Sequence, residues 1–230
     1  MLIMSIIDLF NSLDKGNISN AKTAGMTKDL HFKEGQYNLI MSIFFIPYVV
    51  TAPFIAILGK KYGPALSLTL MMASFGSMTL LVTAVYNFSG MIALRWFVGM
   101  SEAAFFPLVI YYLTMFYRRT ELARRLAIFY GASNVANAFS GLLAFGTFQI
   151  HGTKLQSWRW LFVVEGAATL VCAVFSYIYL PPNVKSVRFL SAEEKELAVR
   201  RLQVDSSSVV GQKMDLRASL RIFKSPTTVS

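Results

Sequence analysis

Two acids and two bases stand in stretches that are otherwise largely apolar: Asp14 is followed at once by Lys15, and Arg95 precedes Glu102 by seven residues. Charges at bilayer depth cost several kcal/mol unless paired or hydrated, so they normally face a bundle interior or a water-filled cavity and often mark a transport path. Seven residues put Arg95 and Glu102 on nearly one helical face but about 10 Å apart along the axis, too far for a tight pair within the helix. Their partners must come from another segment. Residues 2–26 supply them, with Asn11, Asp14 and Asn17 forming one polar stripe and Lys15 and Ser19 an adjacent one. Two readings are open. The four charges converge on a path for a solute, or Asp14 with Arg95 and Lys15 with Glu102 are static ion pairs that lock helices together. The first is preferred, because a fixed buried pair is often no more stable than apolar packing.

Other polar residues in apolar runs have blander readings. Glu165 lies about one and a half turns inside the outer end of its segment, where Arg159 or loop water is available, so it reads as an anchor. Asn134 and Asn137 either line a polar cavity or hydrogen-bond between helices, and Ala132, Ala136, Ser140 and Ala144 recur every four residues as a packing stripe. Phe44, Phe45 and Tyr48 wall a ligand pocket or simply pack. Catalysis has little support: no segment carries metal-ligand spacing, a nucleophile elbow or a glycine-rich phosphate loop, so no enzyme, cofactor or metal is expected. Cys172, the single cysteine, reads as a small hydrophobe.

The elements that must position these groups follow from composition. Of 230 residues 55% are apolar and only 15% charged, where a soluble globule spends about 25% on charge. An all-α membrane protein of six transmembrane helices is expected, and six spans of roughly 20 residues would use about 120 positions. Residues 37–58, 65–86 and 126–150 hold no charge; 88–117 holds Arg95 and Glu102, and 160–180 holds Glu165. The sixth span, 2–26, would be missed by hydropathy alone. It is not read as a signal peptide, since it has no basic start and carries Asp8 and Asp14.

Lys60 and Lys61, the arginines at 118, 119, 124 and 125, and nine basic residues in 181–230 together make 15 of the 22. The positive-inside rule sets these segments, and the amino terminus, in the cytoplasm, with 27–36, the turn near Asn87 and 151–159 outside. The same rule accounts for a net charge of +10 without a nucleic-acid partner. Two regions follow: a transmembrane bundle over 1–180 and a cytoplasmic segment over 181–230. In the latter, Ser191-Ala192-Glu193-Glu194 is a capping-box pattern that predicts a short helix.

Ser12-Leu13-Asp14-Lys15-Gly16-Asn17-Ile18-Ser19-Asn20-Ala21, Gln36-Tyr37-Asn38 leading to Phe44-Phe45-Ile46-Pro47-Tyr48, Arg95 through Gly99 and Glu102 to Pro107, and Trp158-Arg159-Trp160 with Glu165-Gly166 carry a resemblance. Together they are similar to the major facilitator superfamily, and within it to the fungal allantoate permease group of anion:cation symporters. The resemblance implies a transporter of two six-span halves, each made of two inverted three-helix repeats, with the ligand held between the halves. This chain corresponds to the amino-terminal half. By the same resemblance Asp14 and Glu102 serve proton coupling, and Lys15 and Arg95 the anion. With Asn17, Tyr48 and Asn134 they make the expected substrate-binding set. Two positions depart from the pattern. The loop after the second span, where Gly-x-x-x-Asp-x-x-Gly-Arg is usual, has Ala56, Lys60, Gly63 and Pro64 at the matching positions, and Asp8 stands where the group has an apolar or aromatic residue.

The expected function is therefore proton-coupled symport of a small organic anion, such as a carboxylate, a ureido-carboxylate like allantoate, or a vitamin carboxylate, across the plasma membrane. The partners implied are that anion, a proton, the bilayer and a carboxy-terminal six-helix half. The other reading is a transport-inactive membrane protein acting as a scaffold or partner.

Overall fold

The computed structural model describes residues 2–150, 155–187 and 191–205. Expectations for residues 151–154, including His151, and for 206–230 lie outside the described residues. Long helical rods dominate what is described. They are α1 (Leu2–Thr23), the broken rod α3 (Gln36–Ile43) with α4 (Phe45–Tyr62), α5 (Pro64–Val82), the broken rod α6 (Phe88–Glu102) with α7 (Phe105–Thr114), α8 (Arg119–Phe148) and α9 (Ser157–Tyr179). A one-turn helix, α2 (Met26–Asp29), follows α1, and α10 (Ala192–Asp205) follows the bundle. Five rods are long and apolar enough to cross a membrane. The remaining one, α1, has comparable length at 22 residues, but its polar stripe keeps it out of that set.

Two rods expected to be continuous are interrupted, and prolines explain both breaks. Pro47 has no N–H to give the carbonyl of Ile43, where α3 ends, and Pro107 has none for Ala103, just past the end of α6. The chain therefore turns at Phe44 and at Ala103–Ala104, beside the charged residues of α6. Between α4 and α5, Gly63 takes a φ of 100°, and Pro64 opens α5 with a φ suited to a first helical turn.

The main packing partners are α1 with α8, α3–α4 with α6, and α5 with α9, joined by α1 with α9 and α5 with α6. Exchanging the first three long rods for the last three maps this pattern onto itself. A contact pattern that survives this exchange is what two three-helix repeats would leave. The expected small-residue stripe is part of it: Ala136, Ser140 and Ala144 are buried, and Asn20 of α1 donates to Ser140 Oγ at 2.8 Å.

Two apolar clusters fill the interior. One gathers Met4, Ile7, Leu68, Met72, Phe75, Leu108 and Phe129, and the other Ile18, Met26, Ile40, Val82, Met91, Trp158 and Phe162. Along α1 the stretch between Ile7 and Ile18 holds Asp8, Asn11, Asp14 and Asn17, all buried, so a polar layer separates the clusters. Outward faces carry Val49, Val50 and Phe54 on α4, Phe139, Leu142 and Phe145 on α8, and Val174, Phe175 and Ile178 on α9. Hydrocarbon is the solvent such faces suit. At α10 the expected capping box is present: Glu194 N–H donates to Ser191 Oγ at 3.2 Å and Ser191 N–H to Glu194 Oε2 at 2.8 Å.

Candidate functional site

Arg95, Gly99 and Glu102 follow one another at four and three residues, so α6 presents them on one face. Gly99 sets how close that face comes to its neighbour. A Cβ there would lie 2.3 Å from the Phe44 carbonyl oxygen, and a backbone atom cannot rotate aside. Only glycine lets α6 rest against the α3–α4 break. Gly99→Ala is expected to destabilise the fold by about 1–3 kcal/mol, read as a lower unfolding temperature in detergent. Gly141→Ala, where an added Cβ meets nothing within 4 Å, is the control and should match or slightly exceed the parent. Equal melting of the two variants would contradict the close approach.

The polar layer brings the four charges together. Arg95 Nη1 lies 3.6 Å from Asp14 Oδ2, both side chains being buried, and Lys15 Nζ lies 3.6 Å from Glu102 Oε2. Neither distance is that of a tight bidentate pair, whose N···O contacts are about 2.7–2.9 Å. Asp14 is held instead by Thr79 of α5, which donates to Oδ1 at 2.7 Å, and Lys15 donates to Asn11 at 3.0 Å. Several buried polar atoms have no hydrogen-bond partner: Asp14 Oδ2, Arg95 Nε, both oxygens of Glu102 and both side-chain polar atoms of Asn17. Buried polar groups of this kind are stabilised by whatever pairs them.

A cavity of about 220 Å³ opens onto it, lined by Lys15, Ile40, Met41, Phe44, Phe45, Tyr48 and Arg95. Both cations of the site thus reach one space walled by the aromatics singled out in the sequence. Tyr48 stacks on Phe44, with ring centroids 5.6 Å apart, and its ring centre lies 5.8 Å from Lys15 Nζ. Lys15 is the accessible cation, with its side chain 47% exposed against 6% for Arg95. Asn17 is buried in the layer, whereas Asn134 is exposed on α8 and is not among the residues lining this cavity.

Arg159 is not the partner expected for Glu165. Arg159 lies six residues earlier, about 120° round the helix, and points elsewhere. It donates to Asp29 Oδ2 at 3.1 Å and to the Thr83 carbonyl, and packs on Tyr86. Glu165 is buried with neither carboxylate oxygen hydrogen-bonded. Sequence reasoning also missed Thr79, whose hydroxyl in an apolar run gives no charge signal. It likewise gave no role to the bond from Ser133 Oγ to the buried Asp8 carboxylate.

Comparison with known proteins places this geometry in a family. Residues 4–228 match the Major Facilitator Superfamily. An uncharacterized transporter of Schizosaccharomyces pombe is 52% identical over 99% of this chain and 45% of its own length. The high-affinity nicotinic acid transporter of Saccharomyces cerevisiae is 34% identical over 86% of this chain and 37% of its own. Among solved structures, a bacterial homolog of the human lysosomal transporter Spinster, inward-facing and occupied, superposes with a TM-score of 0.72. It has 16% identity over 85% of this chain and 46% of that one, a likeness of fold alone. The chain spans less than half the length of these relatives. It is an integral membrane protein with transporters for relatives, and it belongs to the Major Facilitator Superfamily.

Proposed function

We propose that this chain is the amino-terminal half of a proton-coupled symporter for a small organic anion. The observation that carries the reading is the cavity onto which Lys15 and Arg95 both open, each within 3.6 Å of a buried acid. In this reading α1 is a sixth span, 1–180 is the membrane bundle, and the segment from 181 lies in the cytoplasm. The basic loops face inward, as expected at the plasma membrane.

Arg95 and Lys15 take the anion's carboxylate, Arg95 through two hydrogen bonds and Lys15 as a point charge, with Tyr48 as a wall and Asn17 as a polar neighbour. Asn134 is retained only as a residue that a bound anion or the opposing half reaches. Asp14 and Glu102 carry the proton. When the anion draws a cation away from its acid, that acid becomes a bare buried charge, and protonation neutralises it. Anion binding thereby favours proton binding. The nicotinic acid transporter among the relatives makes nicotinate the first probe to try.

Transport requires a second wall. Repeats of this kind work by rocking one bundle against another. Labelled nicotinate and a panel of other small carboxylates are therefore expected to enter proteoliposomes saturably through the completed transporter, in which this chain is joined to a carboxy-terminal half. The 230-residue chain alone should insert without transporting. Saturable uptake by the chain alone, not explained by homodimers, would contradict the half-transporter reading. A completed transporter that moves only neutral or cationic solutes would contradict the anion.

A further inference from the structure

Among the described residues of α1, those left exposed are Lys15, Ser19, Lys22 and Thr23. Steps of four and three set the first three on one face, with Lys22 about 10 Å along the axis from Lys15. A second stripe runs down the rod α3–α4, where Tyr37, Met41, Phe44 and Tyr48 follow at steps of four, three and four. The last three of these line the cavity. The two stripes meet at both ends. Lys15 Nζ lies 5.8 Å from the centre of the Tyr48 ring, and Lys22 Nζ lies 4.0 Å from that of Tyr37. Ser19 Oγ, between the two lysines, lies 3.4 Å from the Tyr37 hydroxyl. The lysine-on-tyrosine pair of the cavity is thus repeated once at the far end of α1.

Lys22 has a ring but no acid. Among the described residues no carboxylate lies within ion-pair distance of it. In the connection that follows α1, Asp29 is taken by Trp158 and Arg159, which leaves Glu34 against Lys22, Lys28 and Lys33. The positive-inside rule makes an outer end poor in lysine, so these three call for another reason. A ring face attracts the ammonium and fixes its place without neutralising it. The hydrogen-bond count points the same way. The ammonium has three N–H donors, and the Ser19 and Tyr37 hydroxyls spend one of their two protons on each other, which leaves one to donate. A carboxylate, which only accepts, is the complement of such a set.

We propose that Lys22, Ser19 and Tyr37 form an outer subsite that receives the small carboxylate before Lys15 and Arg95 take it. The proposal rests on the reading of Lys15 and Arg95 as the anion site, and of the Lys22 end of α1 as its outer end, and adds a step ahead of that site. An anion that leaves Lys22 meets Lys15 on the same exposed face, and the stripe between them holds Ser19 and no acid. The order of strengths suits a handover. A single exposed ammonium acts on a carboxylate as a point charge and lets it go, whereas a guanidinium can grip it through two hydrogen bonds.

Thr23, exposed beside Lys22, can report occupancy as Thr23→Cys in a chain that also carries Cys172→Ala. With this 230-residue chain in lipid nanodiscs, nicotinate is expected to slow labelling by a neutral maleimide in a saturable way, relative to sodium chloride at the same ionic strength. Nicotinamide, which keeps the ring without the charge, should leave the rate unchanged. Adding Lys22→Gln should remove the protection and Lys22→Arg should keep it. Lys15→Gln should also keep it, since Lys15 lies about 10 Å further in. Labelling indifferent to nicotinate, protection that survives Lys22→Gln, or protection lost with Lys15→Gln overturns the outer subsite. If the thiol at position 23 is unprotected while Arg95→Gln abolishes nicotinate binding to the completed transporter, the outer subsite falls and the anion site stands. Protection of that thiol together with unchanged binding in Arg95→Gln leaves the outer subsite and removes the role of Arg95.

Discussion

Arg95→Gln is expected to weaken carboxylate binding to the completed transporter by at least about 10²-fold. Two hydrogen bonds from a charged donor are worth about 1.5–3 kcal/mol each, and every 1.4 kcal/mol is about tenfold in affinity. Arg95→Lys keeps the charge but loses the planar fork, so binding should fall by about 10- to 100-fold. Lys15→Gln should cost less, because an ammonium whose side chain is 47% exposed acts through more water. Equilibrium binding of labelled nicotinate to purified, folded variants separates the three. Arg95→Gln also strips Asp14 of its cation, which costs about 3–5 kcal/mol of stability when a buried pair is broken. Folded yield must therefore be measured alongside. If Arg95→Lys and Arg95→Gln both bind as the parent does, Arg95 only ties α6 to α1.

Asp14→Asn and Glu102→Gln are expected to abolish accumulation driven by a pH gradient while leaving some exchange of labelled for unlabelled anion. Exchange needs no net release of a proton, so a site frozen in its neutral form still reorients with the anion aboard. If both acids carry a proton with one monoanion, a net positive charge moves inward. A membrane potential then contributes about 2.3 kcal/mol per 100 mV, whereas one proton per monoanion is insensitive to it. Proteoliposomes with an imposed pH gradient, with and without a potential, separate these cases. A double Asp14→Asn, Glu102→Gln variant that still concentrates its substrate would exclude both acids as the coupling site.

The four charges of the polar layer were legible because burying charge is costly: Asp14, Lys15, Arg95 and Glu102 stand out against apolar runs, and the structure brings them together as two pairs. The rods were legible for the complementary reason. A run such as 37–58 has no charged residue to end it, and the helical rod extends over Gln36–Tyr62. The breaks at Phe44 and Ala103–Ala104 were harder to see, because a proline withholds its hydrogen bond from a carbonyl four residues upstream. Thr79 was invisible, since a hydroxyl in a helix can satisfy itself on its own backbone and so announces nothing. For Glu165, distance from the helix end suggested Arg159 as one partner, while helical phase turns that arginine toward Asp29. Asn134 shows the limit of polarity as a signal, because an exposed amide on α8 reports neither a cavity nor a helix contact within this half.

In the proposed function an anion and a proton cross together through the site built on Asp14, Lys15, Arg95 and Glu102. A pH-sensitive dye trapped inside proteoliposomes of the completed transporter, with equal pH on both sides, reads this directly when nicotinate or another transported carboxylate is added outside. The interior is expected to acidify in step with uptake, faster than in protein-free liposomes, and Arg95→Gln to remove the difference. Carboxylate uptake with no acidification beyond that of protein-free liposomes would contradict it.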